Sequence, residues 1–208
     1  MKIIPDVSVI ITNYNYGNYV ARSIRSCLSQ RYTNVEIIVV DDHSTDNSLK
    51  EIEVFKEYIH LIKNKKNVGE AEAANIGIRA AKAQFVIRVD ADDFVNTDMC
   101  FFMSRYLIEN HDAFCVSCDY ILVDDHENIL ERKYSEKDNI SCGIMYRRDL
   151  LLQMGGYNSN MRHREEEELR KRLGGFYNIH HLQVPFYRYR MHKSNKTKEP
   201  EYESWRIE

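Results

Sequence analysis

The chain has 208 residues, of which 29 % are charged, and its formal net charge is only −3. This length suits one domain, or one domain with a small appendage. The balanced charge argues against a dedicated nucleic-acid binder, which usually carries a basic excess. The five cysteines are scattered and odd in number, which is typical of free thiols in a reducing compartment. No apolar run is long enough to cross a bilayer.

The first half of the chain alternates apolar segments with amphipathic ones. Apolar and β-branched residues predict strands at residues 7–12, 37–40, 59–62 and 85–89. Helices are predicted at residues 19–30, after the capping residues 44–46, and after Gly69. Such alternation predicts an α/β fold with a mostly parallel sheet and helices on both faces. Ligands of these sheets bind beyond the carboxyl ends of the strands.

The second half has a looser pattern. Helices are predicted at residues 99–110, 148–154 and 165–173. Extended segments are predicted at residues 114–123, 142–146 and 184–191, with a hairpin-like turn at 124–128. Cys115 and Cys118 fall in one such strand, where positions three apart face opposite sides, so we interpret them as core residues rather than zinc ligands. The polar tail at 193–208 has Trp205 as its only large apolar anchor.

The segment RVDADDF, residues 88–94, ends a buried strand with Asp90, Asp92 and Asp93. Adjacent carboxylates repel, and burying one without a partner is costly. A divalent cation would resolve the conflict, because Mg²⁺ and Mn²⁺ prefer carboxylate and phosphate oxygens. A simpler alternative is that Asp92 and Asp93 only begin the next helix, where acidic residues favour the helix dipole. That alternative explains Asp93 but leaves Asp90 too far upstream.

Two other predicted strands end in polar residues. The first leads into Thr12, Asn13 and Tyr14, and the second into Asp41 and Asp42. Each pattern alone is weak evidence, since polar loops after strands are common. Because the carboxyl ends of parallel strands share one edge of the sheet, we expect both groups to lie near the acidic cluster.

The segment EEEELRKRL, residues 165–173, is the candidate for a general base. Four glutamates at a helix start are commonly only dipole compensation and partners for the later basic residues. The helical phase separates them, because Glu166 shares the stripe of Leu169 and Leu173, while Glu165 lies beside it and Glu167 nearly opposite. A partly buried carboxylate has a raised pKa, which suits a general base.

The segment YRYRMH, residues 187–192, alternates Arg188, Arg190 and His192. In an extended chain these three side chains lie on one face, where two guanidiniums and an imidazole would suit a diphosphate. An edge strand protected by charge is an equally good interpretation. No GxGxxG or P-loop sequence is present, so a dinucleotide dehydrogenase and a P-loop NTPase are disfavoured.

In this order, these segments resemble the family 2 glycosyltransferases of the GT-A fold. VSVIITNYNYGNYVARSIRSCLSQ resembles their opening strand and helix, and VEIIVVDDHSTDNS their second strand and turn. NVGEAEAANIGIRAAKAQFVIRVDADD resembles the stretch that ends in their DxD signature. GGY, EEEELRKRL and YRYRMHKSN resemble the later base helix and Arg–His tail. The resemblance covers nearly the whole chain and is more specific in the first half.

The resemblance implies a Rossmann-like GT-A sandwich that transfers a sugar from a nucleotide diphosphate sugar to a hydroxyl, usually with inversion. The implied nucleotide-binding residues are Thr12, Asn13, Tyr14, Asp42, Asn75, Asp90, Ala91, Arg188 and Arg190. The implied metal ligands are Asp92, Asp90 and His192, with Mn²⁺ or Mg²⁺ as the cofactor. The implied catalytic residue is Glu166, with Glu165 as the alternative.

Three departures from the family pattern stand out. Ala74 precedes Asn75 where the family often has Arg, so one cation on the phosphate side is absent. Glu166 replaces the usual Asp, and its longer side chain leaves the choice between Glu165 and Glu166 open. His43 replaces the common Gly of the DDGS turn, which a turn tolerates.

We divide the chain into a donor-binding half at residues 1–98 and an acceptor and base half of the same domain at residues 99–192. The resemblance further implies a glycan or lipid-linked acceptor, a role in polysaccharide or glycolipid synthesis, and a cytoplasmic location that allows peripheral membrane association. It does not indicate the sugar, the base or the oligomeric state. A nucleotidyltransferase and a non-catalytic carbohydrate-binding module are the alternatives; the first would usually carry a basic, Gly-rich loop that NYNYGN lacks.

Overall fold

The computed structural model describes residues 4–138, 140–175, 178–195 and 198. The strands in these residues are β1 (Val7–Asn13), β2 (Val35–Asp41), β3 (His60–Lys63), β4 (Phe85–Asp90), β5 (Phe94–Val95), β6 (Ala113–Val123), β7 (Ile129–Lys133), β8 (Ile144–Arg147) and β9 (Asn178–Arg190). The helices are α1 (Val20–Leu28), α2 (Ser48–Glu53), α3 (Glu70–Ala80), α4 (Met99–Glu109), α5 (Arg148–Gln153) and α6 (Glu165–Leu173).

The described strands form one sheet with the order β3-β2-β1-β4-β8-β6-β9-β5, and β7 pairs with the outer part of β6. The strands β3, β2, β1 and β4 are parallel, as is the long pair β6 and β9. The remaining pairs are antiparallel. Four parallel strands in a row place the loops after β1, β2 and β4 at a single edge, as the sequence predicted.

Helices cover both faces of the sheet, which confirms the predicted α/β class. The helices α1, α2 and α4 bury Val20, Ile52 and Met103 in one apolar cluster. The helices α3, α5 and α6 bury their apolar residues in a second cluster. The alternation of β1 decides which face each residue joins, since Val9 and Ile11 enter the first cluster.

The two cysteines of FCVSC behave as predicted for opposite faces of one strand. Cys115 lies in the second cluster and Cys118 in the first. Both thiols are free and buried, so they pack in the core. Burial raises the pKa of Cys118 to about 12, which keeps this thiol protonated and unreactive.

One local interpretation is wrong, one predicted turn has a further consequence, and one prediction is not tested. The residues after Asp90 do not begin a helix, because β5 (Phe94–Val95) intervenes and pairs with β9 before α4 begins at Met99. The turn at 124–128 leads into a strand, β7, that the polar sequence did not indicate. The predicted anchor Trp205 lies outside the described residues.

His43 adopts the left-handed backbone region with φ of 67°, which explains why Gly is common at this place in related turns. Among the described residues, no helix is both long and apolar enough to cross a membrane.

Candidate active site

The loops at the carboxyl ends of β1, β2 and β4 line a cavity of about 680 Å³. Helix α6 and the loop before it form another wall of this cavity. The structure brings to it these sequence-predicted residues: Thr12, Asn13, Tyr14, Asp42, Asp90, Ala91, Asp92, Glu165 and Glu166. A space of this size suits a small-molecule ligand with polar groups.

The acidic cluster at the end of β4 has the chemistry of a metal site. One oxygen from each of Asp90, Asp92 and Asp93 lies within 4.8 Å of the others. Oδ1 of Asp90 is buried and accepts no hydrogen bond from the described residues. Oδ2 of Asp92 lies 2.8 Å from Nε2 of His192. A hard divalent cation fits this oxygen-rich donor set, with Asp90 and Asp92 as ligands.

Asp93 has a different role from its neighbours. Its Oδ1 accepts a hydrogen bond from the backbone N–H of Arg190, and its Oδ2 accepts one from the Tyr187 hydroxyl at 2.8 Å. Both oxygens are therefore used to fasten β9 to the end of β4. The sequence interpretation of Asp93 as the start of a helix is thus replaced by a tertiary contact.

The cluster holds more negative charge than its surroundings neutralise. Burial raises the pKa of Asp90 to about 7, although Arg88 opposes the shift. Burial and the nearby Asp92 also raise the pKa of Asp93. Tyr16, on the same cavity wall, has a raised pKa because of burial and the same Asp92 charge. Added positive charge would therefore favour the ionised carboxylates.

Arg88 is the main site residue that the sequence analysis missed. Its guanidinium is only 4 % exposed and donates a hydrogen bond to Glu165 at 2.8 Å. It also lies 3.4 Å from Glu70 and 3.5 Å from Asp90. One cation thus joins β4, α3 and α6. A charged residue inside an otherwise apolar strand, two positions before Asp90, was the available signal.

Glu165 and Glu166 are both buried at the cavity wall but have different partners. Glu165 is held by Arg88, whereas Glu166 accepts a hydrogen bond from the Tyr146 hydroxyl at 2.6 Å and another from Arg170 at 3.0 Å. Burial raises the pKa of Glu166 to about 7, against the opposing charge of Arg170. A carboxyl group with this pKa accepts and releases protons near neutral pH. Helical phase correctly predicted its burial.

The wall formed by the loops after β1 and β2 is highly ordered by hydrogen bonds. Asp42 accepts hydrogen bonds from Val68 N–H, Gly69 N–H and the Asn64 amide. Asn13 donates to Asp41 at 2.9 Å, while its own Oδ1 is buried without a partner in the described residues. These contacts give the cavity a rigid polar wall with an open acceptor atom.

The structure does not bring the two arginines of the predicted cation row on β9 to the cavity. Neither Arg188 nor Arg190 lines the cavity. Arg188 donates to the carbonyl groups of Pro185 and Tyr187. Arg190 is buried and donates to the carbonyl oxygens of Asp92, Asp124 and Asp125 and to Glu127. Both guanidinium groups donate their hydrogen bonds to backbone carbonyl oxygens, and Arg190 also to the carboxylate of Glu127, so these arginines stabilise the fold.

The tyrosines of the same strand face the site instead. The Tyr187 hydroxyl accepts a hydrogen bond from Asp90 N–H at 3.1 Å, and Tyr189 lines the cavity. His192, beyond the strand, reaches Asp92 and stacks on Tyr19 with 4.9 Å between ring centroids. Of the three predicted cations, only His192 contacts a carboxylate of the acidic cluster through its side chain, in the part of the chain that the structure describes.

Asn75 also lies outside the cavity. Its Nδ2 donates to Tyr157 O at 2.8 Å, and its Oδ1 accepts from Tyr157 N–H at 2.9 Å. A Cβ atom on Gly156 would lie 2.4 Å from that Oδ1, and Gly156 has φ of 69°. Asn75 therefore fixes the loop that leads to α6, rather than facing a nucleotide in this structure.

Other cavity residues carried little sequence signal. They are Tyr16, Glu70, Cys142, Arg162, His163, Arg164 and Arg170. The Cys142 thiol donates to Asp90 Oδ2 at 2.8 Å. These residues lie on loops and helix ends whose position depends on long-range contacts, so no periodicity points to them.

Sequence comparison relates the chain to a known family. The profile described as Glycosyl transferase family 2 matches residues 8–172. An uncharacterized glycosyltransferase of Haemophilus influenzae is 35 % identical over 143 residues, which is 66 % of this chain and 44 % of that protein. The Escherichia coli protein named UDP-Glc:alpha-D-GlcNAc-diphosphoundecaprenol beta-1,3-glucosyltransferase WfaP is 37 % identical over 117 residues, covering 50 % of this chain and 47 % of its own. The chain thus spans less than half of either relative.

Solved structures share the fold. TarS of S. aureus in complex with UDP-GlcNAc has a TM-score of 0.77 at 20 % identity, covering 91 % of this chain and 60 % of that one. The mannosyltransferase PcManGT of Pyrobaculum calidifontis, in complex with GDP-Man and Mn²⁺, has a TM-score of 0.71 at 18 % identity, covering 98 % of this chain and 60 % of that one. The predicted GT-A-type fold is confirmed, and since the family profile covers most of the sequence, the chain belongs to glycosyltransferase family 2.

Proposed function

We propose that this protein transfers a sugar from a nucleotide diphosphate sugar to an acceptor hydroxyl, with inversion and with a divalent cation at Asp90 and Asp92. The main support for this proposal is that a single cavity contains both the acidic cluster and the buried Glu166. Family membership favours this reaction over a nucleotidyltransferase or a carbohydrate-binding module.

The donor is proposed to lie along the wall formed by the loops after β1 and β2. Thr12, Tyr14 and Asp42 line this wall, and Asp42 is already anchored by two backbone N–H groups. The fold neighbours are described as complexes with UDP, UDP-GlcNAc or GDP-Man, which supports a nucleotide sugar without choosing the base.

The metal site is proposed at Asp90 and Asp92, with His192 orienting Asp92. Bound Mn²⁺ or Mg²⁺ would supply positive charge that stabilises a departing diphosphate. Oδ1 of Asp90 is a buried oxygen that accepts no hydrogen bond from the described residues, so it could bind the cation. The imidazole of His192, 2.8 Å from Asp92, fixes the direction in which that carboxylate points.

Glu166 is proposed as the general base, and Glu165 as the residue that positions Arg88. The Glu166 carboxylate would take the proton of the acceptor hydroxyl while the oxygen bonds to the anomeric carbon from the face opposite the diphosphate. The bond from that carbon to the diphosphate breaks, and its electron pair leaves with the diphosphate. Both glutamates contact an arginine, and Glu166 is preferred because burial raises its pKa to about 7 in spite of Arg170.

The acceptor is proposed to be a glycan or a lipid-linked glycan in polysaccharide or glycolipid synthesis. The name of the E. coli relative, which includes a lipid diphosphate acceptor, supports this class. A lipid-linked acceptor would bring the enzyme to a membrane surface.

Thermal unfolding with UDP or GDP, with and without Mn²⁺, tests the donor and metal proposals together. A ligand at 100 times its Kd adds about 2.7 kcal/mol to the free energy of unfolding. We expect Mn²⁺ and one of the nucleotides to raise the Tm jointly, and Asp92→Asn to abolish that increase. Asp149→Asn, which changes an exposed carboxylate on α5, is the matched control. Equal stabilisation of Asp92→Asn by metal and nucleotide would contradict the proposal.

A further inference from the structure

The α6 wall of the cavity contains a nearly complete set of ion pairs. Each of its first three glutamates is paired with an arginine, in the pairs Glu165–Arg88, Glu166–Arg170 and Glu167–Arg164, and Arg88 is shared with Glu70 and Asp90. These pairs consume the carboxylates nearest to the loop that precedes α6. If this wall carries another basic side chain, the nearby glutamates of α6 are already paired and do not neutralise it.

Arg162 is such a cation. It lines the cavity, its side chain is exposed, and none of the ion pairs or hydrogen bonds of the described residues involves it. An exposed arginine on a convex surface is ordinarily just solvated. Arg162 instead belongs to the lining of a cavity that also contains several carboxylates, and it pairs with none of them in the described residues, so its guanidinium is available to a ligand in that cavity.

The loop that carries Arg162 is held in place at both ends. Tyr157 is bonded through both backbone groups to Asn75, and Ser159 donates to Glu72 at 2.5 Å. Met161 N–H closes a turn onto Asn158 O, and α6 begins at Glu165. Arg162 is thus presented from a fixed backbone, which lowers the entropic cost of binding a ligand there.

We infer that Arg162 binds an anionic group, a phosphate or a carboxylate, on the acceptor substrate. This inference rests on the proposed function, in which Glu166 activates the acceptor hydroxyl. Arg162 and Glu166 are four positions apart, so their Cα atoms are at most about 14 Å apart. Both residues line the same cavity, so the anionic group belongs to the part of the acceptor that enters this cavity with the reacting hydroxyl. Guanidinium groups suit both anions because they donate two parallel hydrogen bonds.

The acceptor is favoured over the donor diphosphate because of the position of Arg162 in the fold. Arg162 precedes the helix that carries the proposed base, whereas the acidic cluster proposed to hold the donor diphosphate follows β4. The absence of Arg before Asn75 leaves the donor side short of a cation, so a donor role for Arg162 is the rival that the experiment must separate.

The test compares matched acceptors with the full chain and Mn²⁺. Alkyl glycosides of each common hexose are prepared in three forms: neutral, oxidised to the 6-carboxylate, and phosphorylated. We expect an anionic form to exceed its neutral counterpart in kcat/KM by about tenfold or more, the size of a charge-assisted hydrogen bond. Arg162→Ala should remove this preference and Arg162→Glu should reverse it. The carboxylate and phosphate arms identify which anion is recognised.

Arg105→Ala, at an exposed arginine of α4, is the control and should keep the preference. The inference is overturned if neutral acceptors are used as well as anionic ones, or if Arg162→Ala raises the donor KM and leaves acceptor preference intact. Mn²⁺-dependent hydrolysis of the donor, measured without acceptor, distinguishes a failure of the proposed function from a failure of the role of Arg162. Absence of both this hydrolysis and transfer to any acceptor would reject the proposed function, whereas activity without an anionic preference would reject only the role of Arg162.

Discussion

The two charged walls of the cavity differ in how their carboxylates are neutralised. On the α6 wall, Glu165, Glu166 and Glu167 each have an arginine partner. At the end of β4, the basic partners of Asp90 and Asp92 among the described residues are Arg88, which lies 3.5 Å from Asp90 and is shared with Glu165, and the imidazole of His192. One wall balances its own charge and the other does not.

If the proposed function is correct, this difference separates a site that is complete in the protein from one that an added ion completes. Buried carboxylates without full compensation are costly, so they persist where a ligand neutralises them. The raised pKa of Asp90, about 7, expresses that deficit. The ion pairs of α6 set the position and basicity of Glu166 without an added ion. The predictions below alter one wall at a time.

The largest effect is expected from Glu166→Gln. If Glu166 removes the acceptor proton, kcat for transfer should fall by about 10²–10⁴, the usual contribution of a general base. Donor binding, measured as the Tm increase with nucleotide and Mn²⁺, should survive. Glu167→Gln, which alters a half-exposed neighbour in the same turn, is the control and should keep kcat within about twofold. A loss in Glu165→Gln alone would move the base to Glu165.

Replacing Arg88 by Met should be the largest single loss of stability. The substitution keeps the volume of the side chain but leaves Glu165, Glu70 and Asp90 without their shared cation. Removing one partner of a buried ion pair typically costs about 3–5 kcal/mol. Urea denaturation measures the change in the free energy of unfolding. Arg105→Met, on the exposed side of α4, should change it by less than about 0.5 kcal/mol.

The pH dependence of kcat should report Glu166. Because its pKa is raised to about 7, kcat should rise as pH increases through 7. The Tyr146 hydroxyl donates to the ionised carboxylate, so Tyr146→Phe should move this limb to higher pH by about one unit. If the rise of kcat occurs at the same pH in Tyr146→Phe as in the unmodified chain, Glu166 is not the titrating group.

The same raised pKa affects stability in the opposite direction. A carboxyl group whose pKa is higher in the fold than its ordinary 4.5 contributes stability fully below that ordinary value, and loses it as pH rises through about 7. Glu166→Gln should therefore be less sensitive than the unmodified chain to a change from pH 5 to pH 8, as measured by Tm.

The smallest effect is expected on the outer side of α6. Glu168 pairs with Arg172 four residues later, and both side chains are partly exposed. Exposed pairs of this kind contribute about 0.3–0.5 kcal/mol. Glu168→Gln should lower the free energy of unfolding by about that amount, and added salt should reduce the difference further. A loss comparable to Arg88→Met would show that exposure does not distinguish the two kinds of pair.

Much of the site could be predicted because its signals are local. Asp90 and Asp92 follow directly from a buried strand that ends in like charges, and helical phase alone placed Glu166 on the inner stripe of α6. The alternation of Cys115 and Cys118 also depends only on strand geometry. Convergence at one sheet edge followed from the parallel arrangement of strands.

Side-chain partners could not be predicted in the same way. The sequence spacing of Arg188 and Arg190 suggested a diphosphate site, yet their guanidiniums bind carbonyl oxygens. Asn75 lies in a segment that resembles the family motif, but its side chain is hydrogen-bonded to Tyr157, which is more than 80 residues away in sequence. Arg88 was not considered, although it joins three elements. Each of these contacts depends on backbone atoms that only long-range packing brings near.

The sequence by itself determined the α/β class, the acidic end of β4, and the inward direction of Glu166, because hydrophobic periodicity and chain direction are properties of short segments. Only the tertiary structure decided which carboxylates form an ion pair with a basic side chain and which do not. A buried charge is neutralised by whatever group lies within a few ångströms, and that distance is fixed by how β4, α3, α6 and β9 pack together.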